Sequence, residues 1–433
     1  MQRVFANELD DHVGTRVGMA GWLHHQRRLS RVTFLVVRDR AGLAQVVVDE
    51  PAQRFSLNEL RPETVVEVEG DAVATPEAPG GVELHAPSVR VLTEPEEAPP
   101  IELRRPRLKE QLPTILDHAP VALRHPRERA KHELSAASLA GFRSALDRLG
   151  FVEIQTPKIV AAASEGGANV FAVDYFGREA YLAQSPQLYK QIMVGVFECV
   201  YETGPACRAE PHDTGRHLAE YVSLDAELGF IDEHLTVMLV AREAVAGMVE
   251  AVWSRASDAA ALLSVDPPEV PSHIPAVDFA EAQEQIEQAT GSEVVGEPDL
   301  APADERWIGE WARREHGSDF VFVVGYPMEK RPFYTHPDPA RPTHSLSFDL
   351  IFRGLEVITG GQRLHRYEDY LAALEARGLS REPFEGYLQA FRYGMPPHGG
   401  FAIGLERWVA QLVGAANVRE TTLFPRDRTR LAP

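Results

Sequence analysis

The chain has 433 residues and a formal net charge of −20, with 44% hydrophobic and 25% charged residues, an ordinary composition for two or three globular domains. Its two cysteines show neither zinc-ligand spacing nor a disulfide pattern, and no apolar run is long enough for a membrane span. The acidic balance argues against a nonspecific nucleic-acid binder, although not against a local basic groove. The first residues lack the features of a signal peptide, so we expect a cytoplasmic protein without a membrane partner.

Residues 1–100 show the pattern of short alternating strands. Five candidate strands are separated by turns such as DRAG and EAPGG, and a helix is predicted around SLNEL, between the third and fourth strands. This order is typical of an OB-fold β-barrel. Phe34 and Gln45 lie on strand faces and Arg28 precedes the second strand, so one surface can stack and read unpaired bases. A phenylalanine in a strand more often packs in the core.

Beyond the barrel the character of the chain changes twice. Residues 101–122 are rich in proline and charge and predict a linker, and residues 123–433 predict a mixed α and β domain. RERAKHELSAASLAGFRSALDRLG has helical periodicity, and FVEIQTPKIV then predicts a strand that carries Pro157. The segment from about 235 to 314 is acidic and largely helical, and we expect a solvated structural insertion there.

Several later segments carry groups suited to chemistry. In CRAEPHDTGRHLAEYVSLDAEL, cations at the base and tip of a predicted hairpin suggest an anion held over a sheet. The other candidate groups are Glu165 in a small-residue loop, Ser185, Gln187 and Lys190 in YLAQSPQLYKQ, Asp349, Glu356, Thr359 and Arg363 around a strand pattern, and Arg407 in a helix that follows a glycine-rich turn. Carboxylates near arginines fit a site for Mg²⁺ and a polyphosphate. Because the sequence contains no Walker motif and no GxGxxG, we expect side chains over an antiparallel sheet to hold a nucleotide.

In this order the segments resemble those of class II aminoacyl-tRNA synthetases of the aspartate subclass. FVEIQTPKI is similar to motif 1 at the dimer interface, GPACRAE with RHLAEYVSLD to motif 2, and AIGLERW to motif 3. The resemblance covers nearly the whole chain, and the pattern is that of the compact archaeal-type aspartyl enzymes. It implies an α+β multidomain homodimer, with a five-stranded OB-fold anticodon-binding domain and a catalytic domain built on an antiparallel sheet flanked by helices.

The resemblance also implies the reaction and the residues that serve it. L-aspartate would be activated with ATP to aspartyl-adenylate and transferred to the 3′ end of tRNA, with Arg208, Glu356 and Arg407 as the catalytic groups. ATP would contact Arg208, Glu210, Arg216, His217, Tyr221, Glu356 and Arg407. Aspartate would contact Glu165, Ser185, Gln187, Lys190, Arg208, Asp225, Tyr334 and Arg363. Mg²⁺ would be held by Asp349, Glu356 and Thr359. The family usually has serine at position 359, and the retained hydroxyl leads us to expect that function survives.

The anticodon residues implied by the resemblance are His24, Arg28, Phe34, Gln45 and Pro79. Phe34 and Gln45 would read the central U that the aspartate and asparagine anticodons share. His24 and Pro79 resemble the pair found in relaxed enzymes, whereas strict enzymes tend to carry Trp and Lys. We therefore expect both tRNA(Asp) and tRNA(Asn) to be aspartylated, the latter product feeding an amidotransferase. Alternatively, His24 is only a surface strand residue and Pro79 a turn former.

Three other functions stay open on the sequence. An asparaginyl-tRNA synthetase has nearly the same architecture but, by family pattern, lacks the lysine found here as Lys190. A paralogue resembling asparagine synthetase would form the same adenylate, although it normally lacks the OB domain. An inactive tRNA-binding protein would not need the complete set of Arg208, Glu356, Arg363 and Arg407.

Overall fold

The computed structural model describes residues 3–57, 59–161, 169–211 and 214–433. The chain forms two compact units, one extending to Pro126 and the other running from Arg127 to Ala432. None of the helices in the described ranges combines the length and apolar character needed to cross a membrane. The predicted domain limits at residues 100 and 122 stay a prediction.

The first unit is built on a closed barrel whose strands follow one another in the order β1-β2-β3-β5-β4. The strands are β1 Arg16–Arg28, β2 Thr33–Arg38, β3 Leu43–Val48, β4 Val65–Ala74 and β5 Val82–Thr93. Along β2, Leu35 and Val37 are fully buried inside the barrel, whereas Phe34 faces outward and is partly exposed. This closed five-stranded barrel confirms the predicted OB fold.

Short helices accompany the barrel. The helix α1 covers Pro51–Ser56 between β3 and β4 and begins with proline, which is favoured at the first helical position. It therefore ends where the predicted helix SLNEL begins, so the predicted position was wrong although its place between strands was right. The predicted linker contains two more short helices, α2 Leu112–Asp117 and α3 Ala119–Ala122. Two 3₁₀ helices cover Ala6–His12 and Pro79–Gly81.

The second unit is built on an eight-stranded sheet. The strands of this unit, in chain order, are β6 Val152–Glu153, β7 Ile159–Val160, β8 Ala172–Tyr175, β9 Arg178–Leu182, β10 Cys199–Cys207, β11 Glu220–Gly229, β12 Ala276–Asp278, β13 Phe320–Val324, β14 Pro337–Asp338, β15 Arg341–Ser345, β16 Ser347–Phe352, β17 Leu355–Gln362 and β18 His398–Gly404. The strands β7, β9 and β8 form a separate sheet, as do β14 and β15. The large sheet has the order β12-β13-β16-β17-β18-β11-β10-β6, and the neighbours are antiparallel except at the two edges. This confirms the predicted antiparallel architecture.

Helices cover this sheet. They are α4 Pro126–Arg148, α5 Gln187–Phe197, α6 His234–Arg255, α7 Ser257–Leu263, α8 Phe279–Thr290, α9 Pro302–His316, α10 Tyr367–Ala376, α11 Glu385–Arg392 and α12 Leu405–Val413. Three 3₁₀ helices cover Met328–Lys330, Glu382–Phe384 and Val418–Thr421. The main core joins α4, α6 and α12 to the sheet through buried side chains such as Phe142, Val245 and Trp408. The helices α6 to α9 lie in the segment from about 235 to 314 that we expected to be a helical insertion.

The segment FVEIQTPKIV departs from the prediction of a single strand. It forms only the two-residue strands β6 and β7, and Pro157 lies between them. The cause is the side chain of Glu202, which is 1% exposed and accepts hydrogen bonds from the backbone nitrogen of Thr156 at 3.2 Å and from its hydroxyl at 2.7 Å. This buried carboxylate satisfies a backbone donor that a strand would have paired with its neighbour.

Candidate active site

Three adjoining cavities lie in the second unit. The central cavity has a volume of about 340 Å³, the inner cavity about 110 Å³ and the outer cavity about 540 Å³. The central and inner cavities share Arg208, Tyr221, Ser223, Thr359 and Ala402. The central and outer cavities share Arg216, His217, Glu356 and Arg407. The predicted ATP residues therefore converge on the central cavity, with Glu210 also on its wall.

A hairpin carries most of the cations of the central cavity. The strands β10 and β11 pair from Cys199 with Leu228 to Cys207 with Glu220, which leaves Arg208 at the base of the connecting loop. The backbone nitrogen of Arg208 donates to Ala219 O at 2.9 Å, and its guanidinium lies 5.8 Å from the centre of the Tyr221 ring. The predicted arrangement of cations around a hairpin over a sheet is thus present.

The C-terminal segment holds this loop in place. Arg428 Nη1 donates to Pro211 O at 3.1 Å and Arg419 Nη1 donates to Thr214 O at 3.1 Å. Ala219 N donates to Arg426 O at 2.7 Å on the returning limb. Sequence reasoning missed this role, because the contacts join residues about two hundred positions apart and leave no local pattern.

Of the predicted metal ligands, Glu356 lines both the central and the outer cavity, Asp349 lines the outer cavity, and Thr359 lines the central and inner cavities. Thr359 Oγ1 donates to Glu356 Oε1 at 2.9 Å, and Arg407 Nη1 lies 3.5 Å from the same oxygen. Asp349 accepts from both terminal nitrogens of Arg331, at 3.3 and 3.0 Å. Burial raises the pKa of Asp349, and the Arg331 guanidinium offsets only part of this effect. Sequence reasoning did not single out Arg331.

These oxygens fit a metal only if the substrate completes its ligand shell. In the part of the chain that the structure describes, no group of three or more His, Cys, Asp or Glu side chains could hold a metal ion. Two carboxylates and a hydroxyl at the edge of a large cavity are nevertheless the hard oxygen donors that Mg²⁺ takes together with phosphate oxygens and water. The donor set therefore suits an ion that arrives with a polyphosphate.

Glu305 is an additional acidic residue of the outer cavity. It comes from α9, inside the segment expected to be a solvated insertion, yet it is only 7% exposed. Its Oε1 accepts from Arg216 Nη1 at 2.9 Å, and its Oε2 accepts from the backbone nitrogen of Glu356 at 2.9 Å. Burial raises the pKa of Glu305. The expectation of a solvated segment is therefore wrong at this residue.

The inner cavity collects most of the residues predicted to contact aspartate. Ser185, Gln187, Arg208, Asp225, Tyr334 and Arg363 line it. Lys190 instead lies behind Asp225, with its Nζ 3.0 Å from Asp225 Oδ1 and 3.2 Å from Phe401 O. Its direct contact with a substrate stays a prediction, as does the role of Glu165, which lies outside the described residues.

Two cations and two carboxylates form a buried network at the end of the inner cavity. Arg363 Nε donates to Glu227 Oε1 at 3.1 Å, and Lys190 Nζ lies 3.3 Å from Glu227 Oε2. Burial alone would raise the pKa of Glu227, but Arg363 and Lys190 outweigh this effect and hold it below the ordinary value. Gly400 allows this packing, since a Cβ atom there would lie 2.0 Å from Glu227 Oε2.

Glu406 lies inside the motif 3 segment AIGLERW, but sequence reasoning did not single it out. It is the second residue of α12, on the wall of the central cavity, and both its carboxylate oxygens lie 3.1 Å from the backbone nitrogen of Val222, which donates to them. Burial raises the pKa of Glu406 to about 7. This carboxyl group fixes the backbone of β11 immediately after Tyr221, the residue predicted to stack on adenine.

The first unit presents some of the predicted anticodon residues on one outer face of the barrel. Phe34 pairs with Val47 and Val36 pairs with Gln45, so Phe34 and Gln45 are diagonal neighbours on the same face. Gln45 Nε2 donates to Glu83 Oε1 at 2.6 Å, and the guanidinium of Arg27 lies 4.7 Å from the centre of the Phe34 ring. The ring is therefore not a core residue of the barrel.

The remaining anticodon residues have different environments. Arg28 is exposed at the end of β1, and Pro79 is half-buried at the start of its 3₁₀ helix. His24 lies in an irregularity of the β1–β2 register and is 6% exposed, with its Nδ1 3.4 Å from Arg38 Nη1. Burial and the Arg38 charge lower the pKa of His24 to about 4. It is therefore not a surface strand residue, and its part in reading a base stays a prediction.

Comparison with known proteins identifies relatives along the whole chain. Residues 111–428 match the family described as tRNA synthetases class II (D, K and N), and residues 17–92 match the OB-fold nucleic acid binding domain. The chain is 47% identical over 431 residues to the Aspartate--tRNA(Asp/Asn) ligase of Thermus thermophilus, with 100% of both chains covered. It is 44% identical over 438 residues to the protein of the same name from Deinococcus radiodurans, covering 100% of this chain and 99% of the relative. The asparaginyl-tRNA synthetase of Pyrococcus horikoshii, solved with asparaginyl-adenylate, matches with a TM-score of 0.93 at 31% identity and 100% coverage of both chains.

Proposed function

The chain belongs to the class II tRNA synthetases of the D, K and N group, and we propose that it is an ATP-dependent ligase that charges tRNA with L-aspartate. Its acceptors would be tRNA(Asp) and also tRNA(Asn). The full-length relatives named Aspartate--tRNA(Asp/Asn) ligase support this assignment.

The observation that carries the proposal is the position of Arg208 on the wall of both the inner and the central cavity. A cation at this junction can bind the α-carboxylate of an amino acid in one cavity and the α-phosphate of ATP in the other. The two reacting groups would then be held together in one geometry, which removes much of the entropic cost of their encounter.

The activation step needs positioning rather than a side-chain nucleophile. A carboxylate oxygen of aspartate would attack the α-phosphorus in line, the bond from that phosphorus to the bridging oxygen would break, and pyrophosphate would leave. Arg208 would neutralise charge on the α-phosphoryl oxygens, with Arg407 on the opposite side of ATP. Tyr221 would stack on adenine, and Arg216 and His217 would face the outer phosphates. The 3′-hydroxyl of the terminal ribose would then attack the aspartyl carbonyl, and AMP would leave.

Magnesium would accompany ATP. We propose that Asp349, Glu356 and Thr359 hold the ion, with Thr359 orienting the Glu356 carboxylate by its hydrogen bond. The bound ion would neutralise phosphate charge and orient the triphosphate. Asp349 accepts from both terminal nitrogens of Arg331 and also forms hydrogen bonds with the side chains of Tyr326 and Thr359, so Mg²⁺ would bind there in exchange for part of this hydrogen bonding.

Selection of aspartate rests on charge at the end of the inner cavity. Arg363 lines this cavity, and Lys190 supports it from behind Asp225. Arg363 would bind the substrate carboxylate while Lys190 balances Asp225 and Glu227 behind the cavity, whereas the amide group of asparagine would bring N–H donors toward the donors of Arg363. This favours an aspartate enzyme over an asparaginyl-tRNA synthetase, although the solved structure of similar fold bears the latter name.

The partners follow from this assignment. We propose that the barrel binds the anticodon through Phe34 and Gln45, and that the protein is a cytoplasmic homodimer with the region of Pro157 at its interface. Aspartylated tRNA(Asn) would be the substrate of an amidotransferase that converts it to Asn-tRNA(Asn). The closed barrel weighs against a paralogue that passes its adenylate to ammonia, since such a paralogue normally lacks the OB domain.

Amino-acid-dependent pyrophosphate exchange tests the proposal. Purified enzyme is incubated with ATP, Mg²⁺ and labelled pyrophosphate in the presence of each amino acid in turn. We expect label in ATP with aspartate and little with asparagine. Exchange that depends on asparagine would identify an asparaginyl enzyme. A lack of exchange with every amino acid tested would indicate an inactive relative.

A further inference from the structure

We infer that Glu305 is a positioning residue that aims Arg216 at the outer phosphates of ATP. The inference rests on the proposed function, because it concerns how the same cavities bind a nucleotide. It assigns a role to α9, a helix that carries no recognisable motif.

The packing of α9 determines where the Glu305 carboxylate lies. One turn after Glu305, a Cβ atom at Gly309 would lie only 2.4 Å from Gly354 N, so the helix is pressed against the turn between β16 and β17. Ile308 and Ala312 of the same helix are buried in a core with Val321 and Ile351. Glu305 is thus held by a rigid helix directly over the start of β17.

The two carboxylate oxygens of Glu305 have separate partners. Oε2 accepts from the backbone nitrogen of Glu356, which fixes the carboxylate relative to the proposed metal ligand. Oε1 accepts from Arg216 Nη1 at 2.9 Å, and these two side chains are 10% and 28% exposed. The carboxylate therefore joins the loop of the motif 2 hairpin to the strand on the other side of the outer cavity.

An arginine in a loop loses several side-chain rotations when it binds phosphate. The ion pair with Glu305 restricts those rotations before the nucleotide arrives, so less conformational entropy remains to be lost on binding. Because Arg216 lines the outer cavity together with His217 and Arg407, this benefit concerns ligands that carry β- and γ-phosphates. It should be absent for AMP, whose single phosphate would lie at Arg208.

The test compares Glu305→Gln with Asp304→Asn. Glutamine keeps an oxygen for Glu356 N but removes the ion pair with Arg216. Asp304 is a matched control in the same helical turn, 8% exposed, whose carboxylate accepts from Ala301 N at 2.8 Å. Titration calorimetry with ATP and with AMP, both without aspartate, separates the outer phosphates from the rest of the nucleotide.

We expect Glu305→Gln to weaken ATP binding about tenfold, the scale of one charge-assisted hydrogen bond, and to leave AMP binding unchanged. Asp304→Asn should leave the ratio of the two affinities at its original value. An equal loss for ATP and AMP would show a merely structural role, and unchanged or tighter ATP binding would overturn the inference.

A double-mutant cycle tests whether Glu305 acts through Arg216. In an Arg216→Ala background, Glu305→Gln should have no further effect on ATP affinity, and an undiminished effect there would contradict the inference. The original enzyme also separates this question from the proposed function. If Glu305→Gln weakens ATP binding as expected but the original enzyme shows no aspartate-dependent exchange, the aspartate assignment fails and the positioning role stands.

Discussion

Lys190 Nζ lies 3.0 Å from Asp225 Oδ1, and each of these two side chains is only 1% exposed. The lysine thus balances a carboxylate that faces the inner cavity, and it does so from the protein interior. Removing the ammonium group would take from Asp225 its ion pair with Lys190 and would leave Glu227 paired with Arg363.

We predict that Lys190→Met impairs aspartate activation far more than ATP binding. Breaking a desolvated charge pair costs roughly 2–5 kcal/mol, so kcat/KM for aspartate in pyrophosphate exchange should fall by a corresponding factor. The affinity for ATP, measured by calorimetry, should change little. Lys131→Met is the control, because Lys131 pairs with Glu128 in α4. Near-normal aspartate kinetics in the Lys190 variant would refute the assigned role.

The hydroxyl of Thr359 provides a second prediction. Thr359→Val removes the donor to Glu356 Oε1 while keeping a similar shape. We expect a higher Mg²⁺ requirement and a loss of exchange activity of about tenfold or more, since a hydrogen bond to a charged group contributes roughly 1.5–3 kcal/mol. Thr359→Ser should behave like the original enzyme. Superimposable Mg²⁺ titrations for the valine and threonine proteins would exclude this role of the hydroxyl.

Glu406 predicts how stability depends on pH. Its pKa is about 7 in the folded protein against an ordinary value of 4.5, so the folded state binds the proton more tightly than the unfolded chain. The resulting stabilisation is present below about pH 4.5 and is lost as the pH rises through about 7. The free energy of unfolding of Glu406→Gln, taken relative to that of the original protein, should therefore increase by up to about 3 kcal/mol as the pH is raised from 5 to 8.

Denaturant midpoints at several pH values measure this difference. Glu368→Gln, at an exposed position of α10, is the control and should follow the pH dependence of the original protein. A stability difference between Glu406→Gln and the original that stays constant from pH 5 to 8 would disprove the prediction.

The crossing of α4 and α6 predicts a packing effect. A Cβ atom at Gly141 would lie 2.3 Å from Gly247 O and 2.7 Å from Met248 Cα. Both are backbone atoms, so the clash could be relieved only by moving one of the helices. We expect Gly141→Ala to destabilise the protein by roughly 1–3 kcal/mol and to lower its melting temperature. Gly386→Ala in α11 should be neutral or stabilising, because nothing lies within 4 Å of that Cβ position. Equal melting temperatures for the two variants would show that the helices can separate without cost.

Local patterns were enough to predict the barrel and the cation-bearing hairpin. In β2 the alternation of Leu35 and Val37 with Phe34 is visible in the sequence and survives in the fold. The strand predicted through Pro157 failed because the deciding partner, the buried Glu202, lies more than forty residues away. Local propensity cannot include such a partner.

The site shows the same division between residue type and environment. Lys190 was recognised from its motif, but its depth behind Asp225 depends on how α5 packs against β11 and could not be predicted. Glu305 was missed because an acidic residue in the first turn of a helix is ordinary on dipole grounds alone. Glu305 differs from such a residue in its hydrogen bond from Arg216, which is 89 positions away in the sequence.

Charging of purified tRNA(Asp) and tRNA(Asn) with labelled aspartate, at equal concentrations of the two tRNAs, tests the central claim most directly. We expect aspartate to be attached to both tRNAs with rates within about tenfold of one another, the scale of a site that makes no full base-specific contact at the third anticodon position. Attachment of asparagine in place of aspartate, or a preference for tRNA(Asp) above roughly 100-fold, would contradict it.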